Sequence, residues 1–133
     1  MLNWVPRRVR LVSAVRNRTS GAGKRFDVRL ERSTGETYIG NSASEDTAAN
    51  DLRAAAEATV SALREAIGEE ADIQLRGVLP LSAMGENLIV VGIKVTHNGE
   101  TQRLFGLSPV LEDRGRAAAL ATLNAANRFL GLG

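Results

Sequence analysis

The sequence predicts an α+β fold: a strand–strand–strand–helix unit used twice, in the order β-β-β-α-β-β-β-α, as one pseudo-twofold domain. Antiparallel sheets carry the helices on one face. Three observations predict it. An alanine-rich helical segment recurs 63 residues downstream of itself, short alternating apolar segments precede each copy, and the turn signals between those segments keep step. Residues 1–133 read as a single domain, with a first unit over 7–68 and a second over 72–131.

The repeat is clearest in the helices. Arg53–Gly68, RAAAEATVSALREAIG, aligns with Arg116–Gly131, RAAALATLNAANRFLG, with eight of sixteen positions identical. Alanine richness inflates such matches, but the upstream segments agree in the same order. Gly35-Glu36-Thr37 corresponds to Gly99-Glu100-Thr101, and Gly40 and Ser42 to Gly106 and Ser108. Val9, Leu11, Ser13 and Val15 correspond to Ile73, Leu75, Gly77 and Leu79.

Each element has a local reason. Arg8-Val9-Arg10-Leu11 and Asp72-Ile73-Gln74-Leu75 alternate polar and apolar residues, the pattern of a half-buried first strand. Phe26–Leu30 is the second strand of unit one. Its counterpart, Leu88–Val95, is a nearly continuous β-branched run, which predicts a central strand buried on both faces. Asn98-Gly99 is a hairpin turn, because both residues tolerate positive φ, and Ser33–Glu36 is the equivalent turn. The third strands, Thr37–Asn41 and Gln102–Leu107, each carry a glycine, which marks a bulge or a close backbone approach.

Helices follow at about 46–67 and 113–130. Leu52, Ala56, Val60, Leu63 and Ile67 line one face of the first; Ala119, Leu120, Leu123, Ala126 or Asn127, and Leu130 line the second. Gly68 and Gly131 stop them. The acids Glu45, Asp46, Asp51, Glu112 and Asp113 gather at their starts, where the helix dipole favours negative charge.

Composition narrows the function. There is no cysteine, which excludes disulfides and thiolate metal sites, and one histidine, His97. No apolar run has signal-peptide or membrane-span length, so the expected location is the cytoplasm. Net charge is only +2, but residues 1–32 hold nine Lys/Arg against two acids. The resulting basic strands, with Arg7, Arg8, Arg10, Arg16, Arg18, Lys24 and Arg25, offer an alternative reading as a nucleic-acid (RNA) surface. A strand–strand–strand–helix order also occurs in double-stranded-RNA-binding domains. Those have lysines at the start of the final helix, where this chain has Glu45-Asp46 and Glu112-Asp113, with Arg114 and Arg116 partly restoring the charge.

Gly106-Leu107-Ser108, then Asp113, then Ala117–Leu130 ending in ATLNAANRFL, resembles the C-terminal regulatory domain of the 2-isopropylmalate synthase and citramalate synthase family. The resemblance covers about 25 residues in motif and most of the chain in architecture, since that domain is also two βββα units. It implies an effector-binding or dimerising module, with a branched-chain amino acid or a ketoacid-pathway product bound between the units. The family's catalytic barrel is not in this sequence. The expectation is a non-catalytic regulatory or oligomerisation module that acts alone, without cofactor, as a homodimer or higher homo-oligomer.

A ligand site is therefore expected on the seam between the units, near Gly40, Ser42, Gly106 and Ser108. The serines lie where each third strand turns toward its helix, where they serve as caps or as anion ligands. His97 reads as a solvated turn residue and Glu69-Glu70-Asp72 as a solvated loop. Ser20–Lys24 lacks the strand–loop–helix context of a phosphate loop, since Arg25 and a strand follow it. Trp4, with Leu2, Val5 and Pro6, reads as a tail that docks on the domain or on a second copy.

Overall fold

The computed structural model describes residues 9–18, 24–44, 48–111 and 113–130. The elements are β1 (Val9–Arg18), β2 (Lys24–Arg32), β3 (Thr37–Ser44), α1 (Ala48–Ile67), β4 (Asp72–Ala83), β5 (Glu86–His97), β6 (Glu100–Pro109) and α2 (Arg114–Leu130). They form two antiparallel three-stranded sheets, β1-β2-β3 and β4-β5-β6, each followed by its helix. This is the tandem βββα order. Trp4, Arg7, Arg8, the Ser20–Gly23 loop, Glu45, Asp46, Glu112 and Gly131 lie outside the described residues.

α1 packs on β2 and β3 of its own sheet and on β4 of the other; α2 packs on β5 and β6 and on β1. The helices also pack on each other, so the pair fills the space between the two inner sheet faces. This placement explains the alanines. Ala54, Ala55, Ala56, Ala58, Ala62, Ala117, Ala118, Ala119, Ala121, Ala125 and Ala126 are all buried, far more than one stripe of each helix. Only narrow stripes face solvent, including Arg53 and Arg64 on α1 and Arg116, Leu120 and Asn124 on α2. Leu120, expected in the core, therefore lies on the outside of its helix. Thr59 and Thr122, at matching positions, are fully buried. Each hydroxyl is satisfied inside its own helix, on the carbonyls of Ala55 (2.8 Å) and Ala118 (2.7 Å).

The two third-strand glycines are close approaches. A Cβ on Gly40 would run into the backbone of Ala58 and Ala62, and one on Gly106 into that of Ala121 and Ala125. Neither position admits any other residue without moving a helix off its sheet.

The duplication extends to an irregularity the alternation concealed. Each first strand bulges at the same place, between Leu11 and Ser13 and between Leu75 and Gly77. A bulge shifts side-chain parity by one residue. Val9 and Ile73 thus face the core, while Val15 and Leu79, which share their parity in sequence, face outward at about half exposure.

The strands also run beyond the stretches read from sequence. β4 and β5 close through Met84-Gly85, with φ of 51° and 76°. Asn98-Gly99 has the matching values of 52° and 77°. β5 is central as expected, but only one of its faces is buried. Ile89, Val91, Ile93 and Val95 are in the core, whereas Leu88, Val90, Gly92 and Lys94 stay partly exposed because the helices cover only the inner side.

Candidate functional site

Four contacts fix the direction of the helices. At one end of the first sheet, Arg16 of β1 pairs with Asp51 in the first turn of α1 (3.0 Å), and Phe26 of β2 lies against Gly115 in the first turn of α2. At the other end, Arg32 donates to the Ala66 carbonyl near the end of α1, and Asn127 of α2 bonds both backbone groups of Val9 (3.2 and 3.1 Å). The helices are therefore parallel, and both N-terminal ends open at the same edge of the molecule.

A cleft of about 540 Å³ lies at that edge, lined by Ala14, Val15, Arg16, Phe26, Asp51, Asp113, Arg114 and Gly115. A second, of about 450 Å³, occupies the matching end of the second sheet between Pro80, Leu88, Ile89 and Val110. Arg114 lines both.

The polar groups of the first cleft have structural tasks as well. Asp113 Oδ1 accepts the Gly115 N–H at 2.8 Å and so caps α2, and its carbonyl accepts the Ala117 N–H at 3.0 Å. Arg16 spans from sheet to helix through Asp51. Phe26 supplies the apolar floor, and Gly115 keeps room for it: a Cβ there would stand 2.6 Å from the ring edge. The cleft thus offers two carboxylates and two guanidinium groups around an aromatic floor, at the positive ends of two helix dipoles.

The four residues expected on the seam do not converge. Gly40 and Ser42 are on β3 and Gly106 and Ser108 on β6, in different sheets and each under its own helix. The glycines serve packing. Ser42 is partly buried opposite Phe26 and so adjoins the large cleft from the next strand. Ser108 is 7% exposed and donates to the Pro109 carbonyl at 3.1 Å. Ser108 also lines a small cavity of about 160 Å³ with Asp113 and Arg116. Asp113, not Ser108, caps α2.

The basic strand residues are spread over both faces. Arg10 and Arg25 face outward, and Arg16 points toward the helices. Each holds an acid: Glu31, Asp27 (3.1 Å) and Asp51 (3.0 Å) respectively. Arg18 and Lys24 lie on their strands at the hairpin end, and nothing of their side chains is described.

His97 departs from its expected role as a solvated turn residue. Its Nδ1 lies 2.7 Å from the Glu70 carbonyl, Asn98 donates toward its Nε2 at 3.2 Å, and its ring meets Phe129 edge-on at 5.6 Å. It latches the α1–β4 connection to the β5–β6 hairpin. A protonated Nδ1 is the tautomer that satisfies both hydrogen bonds.

Sequence reasoning missed Ala14, Phe26, Arg114 and Gly115 as cleft residues. One signal was available: a glycine inside the Arg114-Gly115-Arg116 helix start has no local reason to be there. Among the described residues no group of three or more His, Asp or Glu is placed to hold a metal ion, and no helix is long and apolar enough to cross a membrane. Compared with known proteins, the chain matches no protein-family model and no curated sequence.

Proposed function

We propose that this chain is a non-catalytic regulatory module that binds a small polar molecule in the cleft at the helix N-terminal ends. One observation carries the reading: the parallel packing of α1 and α2 brings two helix starts, Arg16, Arg114, Asp51 and Asp113 to one open cavity floored by Phe26. A molecule that carries a carboxylate, a nearby ammonium or keto group and a short apolar tail matches that lining. The carboxylate fits Arg114 and the helix dipoles, and the tail fits Phe26 and Ala14. The resemblance to the 2-isopropylmalate synthase regulatory domain points to the same class, amino acids and 2-ketoacids. RNA binding through the basic strands has less support, because Arg10, Arg16 and Arg25 are already paired with acids.

A thermal-shift screen with amino acids and 2-ketoacids tests the proposal. A true ligand at about 100 times its dissociation constant adds roughly 2.7 kcal/mol of stability. That gain should vanish in Arg114→Ala, whose side chain is exposed and whose loss leaves the core intact. If no member of either class raises the unfolding midpoint, the reading fails.

A further inference from the structure

The outer faces of the two sheets come from one repeated unit and differ in chemistry. On the first sheet that face carries Ser13, Arg25, Asp27, Arg29 and Asn41; among the described residues its exposed large apolar side chains are Val15 and Ile39, with Val12 at the bulge. This is the usual solvent side of an antiparallel sheet. The second sheet has the opposite character. Leu79, Leu81, Phe105 and Leu107 stand 53%, 46%, 58% and 53% exposed, with Leu88 and Val90 between them.

The strand register arranges these side chains in rows. Lys94 pairs with Arg103; Gly92 with Gly77 and Phe105; Val90 with Leu79 and Leu107; Leu88 with Leu81 and Pro109; and Glu86 with Ala83. The three central rows are apolar except for Arg76, which stands at the β4 bulge beside Gly92; a basic row bounds them at one end and an acidic residue at the other.

We propose that this face is a self-association surface, on which a second copy of the chain packs sheet to sheet about a twofold axis. The axis crosses the strands at the Leu79–Val90–Leu107 row. That operation lays β5 on β5 of the other copy with the direction reversed. The central row meets itself, so Leu107 lies on Leu107. Phe105 faces Pro109, and Leu81 faces the Gly77 position, beside which Arg76 stands at the bulge. The basic row meets the acidic end, so Lys94 faces Glu86, twice by symmetry. One face supplies both halves of every contact, as an isologous interface requires.

The area is adequate. Five rows on three strands cover a footprint of roughly 14 by 27 Å. Leu79, Leu81, Phe105 and Leu107 are each about half exposed, and with Leu88, Val90 and the charged rows they approach the scale of a standard interface, roughly 800 Å² per partner. The apolar rows form its centre and the charged rows its rim. The surface is separate from the cleft that Arg16 and Phe26 line, so either proposal survives the failure of the other.

Sedimentation velocity across the micromolar range tests the proposal. The chain should be a dimer, and Leu107→Arg should raise the dimer dissociation constant about 100-fold or more, because it sets two charges against each other at the axis. Circular dichroism and the unfolding midpoint of the resulting monomer should show a folded chain, since Leu107 is not a core residue. Lys94→Glu and Glu86→Lys should each weaken the dimer, and the double exchange should restore it. A monomer at every concentration would overturn the proposal and leave the face to a different partner. A dimer indifferent to Leu107→Arg, or a charge exchange that fails to restore association, would overturn it as well.

Discussion

Gly106 leaves no room for a side chain beneath Ala121: a Cβ on it would run into the Ala121 carbonyl and into the Ala125 amide one turn further on. Gly40 holds the same relation to Ala58 and Ala62 in the other unit. The obstacle in each case is helix backbone, which cannot rotate aside as a side chain can. Gly40→Ala and Gly106→Ala should therefore each lower stability by about 2–3 kcal/mol, as overpacking in a tight core does. Equilibrium urea denaturation will read this as a fall in midpoint at unchanged slope. Similar losses at the two sites are expected because the contacts are the same; a neutral result at either would show that its helix can move away cheaply.

Tyr38 is the chain's single tyrosine. Its hydroxyl donates to Glu36 Oε2 at 2.9 Å, and the Arg32 guanidinium lies over its ring at 5.5 Å. Partial burial, and next the hydrogen bond to Glu36, hold the phenol above its ordinary value of 10.0, while Arg32 pulls it down. A raised pKa means the folded state holds the proton more tightly than the unfolded chain. The stability this contributes is complete below pH 10.0 and is lost as pH rises through the folded value. Tyrosinate absorbance should titrate at higher pH in the native chain than in urea, and Tyr38→Phe should flatten the alkaline loss of stability. Equal native and unfolded titration midpoints would count against this reading.

His97 ties three segments together through Glu70, Asn98 and Phe129. Replacing it with alanine should cost about 1 kcal/mol, the net value of one such hydrogen bond plus a lost ring contact. Amide exchange should quicken in residues 68–71 more than in the β4–β5 hairpin. Uniform quickening across the chain would mean that His97 supports the whole domain and not one connection.

Much of the fold was legible because its signals are local. Asn98-Gly99 announces a turn by its own backbone tolerance, and the helices announce themselves by period and by their match across 63 residues. Met84-Gly85 was not read as a turn because methionine carries no such preference. It adopts a φ of 51° only because β4 and β5 pair on both sides of it.

The candidate site was less legible. Gly40 and Gly106 attracted notice as glycines in strands, and the structure explains them by the helices above them. Arg114 and Phe26 are 88 positions apart in sequence. They share a cleft only because α1 and α2 run the same way between two sheets.

The sequence by itself determined the kinds of element, their order and the duplication, since each follows from the chemistry of neighbouring residues. Tertiary structure alone decided the faces. Bulges after Leu11 and Leu75 reverse which side chains point inward. Two sheets enclosing two helices turn alanine stripes into alanine cores. The side of the second sheet away from the helices is left with an apolar surface, because burial depends on what lies opposite a residue and not on the residue itself.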